Sequence, residues 1–309
     1  MIKTLSLNWP WDIQFFPDAI IDKAQALGAT ELSLRTPVYG TPYGDHTLPY
    51  YQGKNLGPNT DNLAIASKAV EAGFDVSIWP VIQLLLWAKE AQSIKDEVAR
   101  YNPKRVFLDS EGSIKTYIAN LLPFLSNMGK LTVPCYLQSY RRADLHPEMQ
   151  WSKWYGAKDP AGNYIINGVS PQMYPIGKVT VAGWLDDFKK SVDSHEAILA
   201  SLGREPAWFP TLPVFISGSF EGDAGWIPPV ACLEAGVQYL QDRLGERLVG
   251  INFWSLDRHL VNPSLSAQFA FVASLPAEVP PPEPDPVYPP IEEGYPILVD
   301  DARARGVEI

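Results

Sequence analysis

Short apolar stretches alternate with segments of helical spacing along most of this chain. The pattern predicts strands over residues 4–9, 31–35, 74–79, 104–111, 131–138, 168–174, 208–216 and 248–255. Apolar positions three and four residues apart predict helices over 17–28, 59–73, 83–101, 113–128, 180–202, 229–244 and 264–274. Gly28 and Gly129 stand where two of these helices should stop, and Pro210 and Pro213 make the seventh strand less regular. After the fifth strand comes a partly helical, partly irregular region carrying Tyr140, Arg141, Arg142, Trp151, Trp154 and Tyr155. Eight strand–helix units over about 275 residues predict an α/β protein, a (β/α)8 TIM barrel. The alternative, an open doubly wound sheet, ordinarily shows a glycine-rich phosphate turn after its first strand. Asn8-Trp9-Pro10-Trp11 is nothing like one.

Two segments break the alternation. Residues 36–58 form a long loop rich in Pro, Gly and Tyr (Tyr39, Tyr43, Tyr50, Tyr51), and the aromatics favour a functional loop. Beyond residue 274 prolines crowd the chain. Eight acidic residues against two arginines give residues 275–309 a charge of −6, most of the total of −10. Such a segment builds no core. The expected organisation is a barrel over 1–274, followed by a Pro-rich acidic C-terminal tail over 275–309 that acts as a linker or tether to another module or protein. A remnant of truncation is the bland alternative.

Charge and composition narrow the function. A net charge of −10 makes nucleic acid and anionic membrane poor partners. No run of 18 apolar residues is present, so no membrane insertion is expected. The first nine residues read as a strand and not as a signal peptide, which points to cytoplasmic synthesis with phage-type release or virion association. Cys135 and Cys232 sit in apolar settings and are expected as buried free thiols. His46, His146, His195 and His259 are scattered, so neither a metal nor another cofactor is expected. Ten Trp and 14 Tyr suit stacking on sugars, and serve equally as core material.

The chemistry centres on Val106-Phe107-Leu108-Asp109-Ser110-Glu111-Gly112. An apolar run ends in two carboxylates at alternate positions, which leave a strand on the same face. The functional reading is an unequal catalytic pair, one acid protonated and one ionised. The bland reading is a solvated strand end. In a (β/α)8 barrel the active site lies at the C-terminal ends of the strands. The same alternating face there carries Asn8, with Trp9 just beyond, then Arg35, Trp79, Tyr136, Gln138, Gln172, Tyr174, Asn252 and Trp254, with Asp257 close behind. The lower parts of the strands read as mainly apolar. Flat aromatics bind sugar faces, while amides, hydroxyls and Arg hydrogen-bond sugar hydroxyls. An oligo- or polysaccharide is therefore the expected substrate. Trp79 and Tyr136 have a second reading as plugs of the barrel, and Arg35 as neutralising Asp109, Glu111 or Asp257.

Three stretches resemble family 18 glycoside hydrolases, especially plant-type chitinases. Phe107-Leu108-Asp109-Ser110-Glu111 matches the closing Asp-x-Glu of that family's fourth-strand motif, Gln172-Met173-Tyr174 its sixth-strand Gln-x-Tyr, and Gly250-Ile251-Asn252-Phe253-Trp254-Ser255 its eighth-strand Gly-x-x-x-Trp-Ser. The resemblance implies an endo-acting glycosidase on N-acetylhexosamine glycans, with a retaining, substrate-assisted mechanism. Glu111 would be the acid and base, and Asp109 would orient the acetamido group. Tyr174 would hydrogen-bond the acetamido oxygen, with Gln172 beside it, and Trp254 would floor the sugar subsite. The family's further aspartates are absent: Phe107 and Lys104 hold those places. Trp9, Arg35 or Asn252 stand as replacements for that support. A strand-four Asp-x-Glu is also similar to family 25 lysozymes, which cut peptidoglycan and use a first-strand Asp where this chain has Ser6 or Asn8. Two alternatives remain open. One is a non-catalytic carbohydrate-binding or virion-structural barrel with a degenerate cleft. The other is a conventional two-carboxylate enzyme with Asp257 or Glu221 as second acid.

Overall fold

A computed structural model describes residues 1–7, 17–36, 60–110, 112–175, 177–214, 227–254 and 263–276. The tail beyond 276, with the linker expected there, lies outside them, as does nearly all of the tyrosine-rich loop. Eight strands run parallel and alternate with eight helices among the described residues. The strands are β1 (Ile2–Leu7), β2 (Glu31–Leu34), β3 (Asp75–Ile78, resumed at Val81–Ile82), β4 (Arg105–Ser110), β5 (Cys135–Tyr140), β6 (Gly168–Gln172), β7 (Ala207–Trp208, resumed at Thr211–Pro213) and β8 (Gly250–Trp254). The helices are α1 (Pro17–Ala26), α2 (Thr60–Glu71), α3 (Trp87–Tyr101), α4 (Leu121–Met128), α5 (Trp151–Gly156), α6 (Val181–Ser201), α7 (Val230–Leu244) and α8 (Ser266–Ser274). Each strand pairs with its neighbours in chain order and β8 pairs back onto β1, so the sheet closes. Followed round the barrel, the ladder registers accumulate a stagger of eight residues, the shear of a TIM barrel.

The sequence reading places all eight units correctly and misses mainly at their ends. The helix expected from residue 83 starts at Trp87, because the Glu90 carboxylate accepts the backbone N–H groups of Gln83, Leu84 and Leu86, each at 2.9 Å. Those bonds hold the preceding loop out of the helix, with Leu84 at φ 61°. Residues 112–120 form 3-10 turns before α4, where a continuous helix was expected. The two interrupted strands break at Pro80 and Pro210, which have no N–H to give to a ladder. Register is kept across both breaks: Ile78 pairs with Val106 and Val81 with Asp109, while Val169 pairs with Trp208 and Gln172 with Thr211.

Alternation sorts each strand into two faces. Outward residues such as Leu5, Leu32, Val106, Leu137, Ile251 and Phe253 are buried under the helices. On α6 the covering stripe is Trp184, Phe188, Val192 and Leu199, at helical spacing. Cys135 and Cys232 are buried free thiols, as expected. Among the described residues no helix is long and apolar enough to cross a membrane.

The inward face departs from expectation, since its lower part is not mainly apolar. Toward the N-terminal ends of the strands Glu31 and Arg105 form a buried ion pair, and the Thr4 hydroxyl donates to Glu31 Oε1 at 3.1 Å. Burial pushes the Glu31 carboxyl up, opposed by Arg105 and the Ser77 hydroxyl. Ile2, Trp79, Phe107, Tyr136 and Phe209 form a separate apolar cluster inside the barrel. Phe107 lies 5.0 Å from Phe209 and 5.4 Å from Tyr136, centroid to centroid. The rings fit because Gly168 and Gly250 carry no side chain: a Cβ on Gly168 would overlap Tyr136, and one on Gly250 would overlap Phe209. Gly168→Ala is expected to lose about 1–3 kcal/mol of stability in urea unfolding. Pairing it with Tyr136→Leu should return part of that loss.

His195 supplies a pH dependence. It is buried on α6, its Nδ1 accepting from the Tyr155 hydroxyl at 3.0 Å and its Nε2–H donating to the Tyr140 carbonyl at 3.2 Å. The neutral ring satisfies both partners, and burial lowers the pKa from 6.5 to about 4. Between those values the unfolded chain binds the extra proton. The contribution is therefore complete above about pH 6.5 and is lost as pH falls toward 4. Urea unfolding should show a loss of up to ~3 kcal/mol across that window, and His195→Gln should flatten it.

Candidate functional site

Strand β4 carries Asp109 toward its C-terminal end, where its side chain turns into the barrel and is buried. The facing positions on neighbouring strands are Val81 of β3 and Gln138 of β5, both uncharged. Gln172 is the last residue of β6, and its Nε2 donates to Asp109 Oδ1 at 3.0 Å. This bond spans β5, which lies between the two strands. Gln138 is buried in that gap, and its carbonyl accepts the Ser110 hydroxyl at 3.3 Å. The sequence reading looked to Trp9, Arg35 or Asn252 for Asp109's support; Trp9 lies outside the described residues, and Gln172 is hydrogen-bonded to Asp109.

Tyr174 follows two residues on and is half-buried. Its N–H donates to the Gln172 carbonyl at 2.9 Å, and its own carbonyl accepts from Arg141 Nη1 at 2.8 Å. Arg141 also pairs with Asp187 of α6 at 3.3 Å, which ties the start of this loop to a helix. Trp254, half-buried at the end of β8, meets Trp79 edge-on at 5.0 Å. Trp79 is fully buried, donates its indole N–H to the Leu7 carbonyl at 3.2 Å, and lies under the Arg35 guanidinium at 5.0 Å. Trp79 and Tyr136 are both buried and pack in the barrel interior. Asn252 is an internal strut: its side-chain oxygen accepts from Ser6 at 2.8 Å and its amide donates to Thr211 at 3.4 Å. Asp109, Gln138 and Gln172 are thus brought together, with Tyr174 next along the chain. Glu111, Asn8, Trp9 and Asp257 lie outside the described residues.

The sequence reading overlooked the Glu31–Arg105 pair, since a lone Glu and a lone Arg at strand starts look like solvated ends. It also passed over a cluster on the turns after β4 and β5. Lys115 Nζ lies 2.9 Å from His146 Nδ1 and 2.6 Å from Glu148 Oε1, and 4.8 Å from the centre of the Tyr140 ring. Tyr140 stacks on His146 at 4.0 Å. The Lys115 link draws the Glu148 carboxyl down to about 2, while burial and Lys115 lower the His146 pKa. The only signal was the density of aromatic and basic residues after the fifth strand.

No protein-family model matches the chain, and no curated protein matches it in sequence. Solved structures do. The catalytic domain of a hyperthermophilic chitinase from Pyrococcus furiosus is 14% identical with a TM-score of 0.57, the match covering 89% of this chain and 96% of that one. A family GH18 chitinase catalytic domain from the fern Peteris ryukyuensis is 12% identical at 0.52, covering 89% and 100%. The spore cortex-lytic enzyme SleL of Bacillus megaterium is 11% identical at 0.52, covering 90% and 75%. At these identities the likeness is one of fold: the chain has the (β/α)8 barrel fold found in family 18 chitinases and in SleL.

Proposed function

We propose that this barrel is an endo-acting glycoside hydrolase that cleaves N-acetylhexosamine-containing glycans with retention, by a substrate-assisted mechanism. The observation that carries the reading is Asp109, a buried carboxylate at the C-terminal end of β4 held by the Gln172 amide, in a fold shared with chitinases. Glu111, two residues further on, is the proposed acid. It protonates the glycosidic oxygen as the substrate's acetamido oxygen attacks the anomeric carbon. Asp109 orients that acetamido group and balances the positive charge that develops on it. The Tyr174 hydroxyl hydrogen-bonds the acetamido oxygen, and Trp254 lies under the sugar. Glu111, now a base, then activates the water that opens the intermediate. Chitinases and a cortex-lytic enzyme both stand among the neighbours, so chitin-like glycan and peptidoglycan both remain in the proposal.

One observation favours a second reading, a sugar-binding barrel without turnover. Phe107 fills a place where the family resemblance calls for an aspartate, and it is wholly packed among Tyr136 and Phe209. The two readings separate on N-acetylglucosamine oligomers and purified peptidoglycan. Hydrolysis by the wild type is expected to fall about 10²–10⁴-fold in Glu111→Gln, with oligomer binding retained. Asp109→Asn should lower kcat with little change in KM. Binding without reducing-end release by the wild type would favour the second reading, and full activity in Glu111→Gln would remove the first.

A further inference from the structure

We infer that Gln172 is the positioning residue of Asp109: its amide fixes the direction of the carboxylate and holds it in the charged form. The inference rests on the proposed role of Asp109 and deepens it. Gln172 sits on a strand that does not pair with β4, so the two side chains meet over the intervening β5 through their own length. Both are buried, Asp109 at 5% and Gln172 at 9% exposure, and water competes little for a hydrogen bond to the carboxylate.

The surroundings explain why an amide suits this position. Phe107, two residues back on the same face, is apolar, and Val81 and Gln138 flank Asp109 without charge. Charged groups on the inward side of the described residues include Arg35, whose guanidinium lies over Trp79, and the Glu31–Arg105 pair, with Arg105 four residues back on β4. Tyr174 follows Gln172 by two residues in sequence, Glu111 follows Asp109 by two, and Asp257 follows Trp254 by three. A carboxylic acid in place of Gln172 would share a proton with Asp109 and titrate with it. An amide donates and never titrates. The Gln172 amide therefore gives Asp109 a fixed direction and has no proton to exchange with it.

The test combines activity with a direct titration. Gln172→Met keeps the length and removes the donor. With N-acetylglucosamine tetramer its kcat should fall about 10–100-fold with KM little changed. Gln172→Glu should move the acid limb of kcat/KM to higher pH, because two neighbouring carboxyls cannot both ionise freely. Wild-type kcat in Gln172→Met, or an unmoved acid limb in Gln172→Glu, overturns the inference. The titration needs no turnover: the Asp109 side-chain carboxyl is followed by ¹³C NMR and assigned through Asp109→Asn. Its midpoint should move to higher pH in Gln172→Met, and an unmoved midpoint overturns the inference. Should Gln172→Met not fold, Gln172→Asn withdraws the amide by one methylene and is expected to shift the midpoint in the same direction. A wild type that hydrolyses no glycan yet shows the shift counts against the proposed function and leaves the positioning intact.

Discussion

An eight-stranded barrel with a stagger of eight encloses a space that only its own side chains can fill. In this chain aromatic rings fill much of it. Phe107, Tyr136 and Phe209 meet one another at 5.0–5.7 Å, and Trp79 closes against them. That choice dictates others. Rings of this size leave no room on the facing strands, so β6 and β8 both begin with glycine. Polar groups share the interior with it. Toward the strand starts the Glu31–Arg105 pair is sealed from solvent, where removing one partner would leave the other charge stranded. Toward the strand ends stands Asp109.

The same packing sets the electrostatics of the site. Phe107 gives Asp109 an apolar floor, which alone would disfavour a charged carboxylate. A donor is then required, and it has to come from the side or from above. The strands next to β4 present Val81 and Gln138 at that level, and the donor observed comes from β6. Filling the barrel with a phenylalanine and supporting the carboxylate with a glutamine are thus two parts of one arrangement. Phe107 is the residue that most weakens the likeness to an active family 18 site. With Gln172 in place, it can sit beneath an ionised Asp109.

Much of this was legible because period-two and period-3.6 patterns reflect burial directly. The parity of seven strands was readable, so Asp109, Gln138, Gln172 and Asn252 were placed on the inward face from sequence. Parity does not say how far up the barrel a residue sits, nor what its side chain touches. Trp79, Tyr136 and Asn252 were grouped with the rim by parity and residue type, with a plug reading kept for the first two, and all three are buried. Height depends on the stagger between strands, which is a property of the closed ladder and not of any one segment. The Glu31–Arg105 pair was illegible for a related reason, since its partners are 74 residues apart and meet only once the barrel closes. The start of α3 was misjudged because Glu90 holds three backbone N–H groups of the loop, a competition that apolar spacing does not report.

Support for the site extends outward through α6. Ser191 donates to the Arg141 carbonyl, Asp187 pairs with the Arg141 guanidinium, and His195 donates to the Tyr140 carbonyl. One helix face therefore grips the end of β5 at consecutive residues. Arg141 then carries that grip to the Tyr174 carbonyl, just beyond Gln172. In the neutral ring Nδ1 accepts from Tyr155 while Nε2–H holds the Tyr140 carbonyl. Charging the ring keeps the Nε2–H bond and turns Tyr155 from donor to acceptor, so the cost of acid here is the burial of the charge itself. The acid sensitivity of the fold and the placement of Tyr174 and Gln172 thus share one path. The acid sensitivity arises at His195 on α6, apart from any titration at the mouth of the barrel.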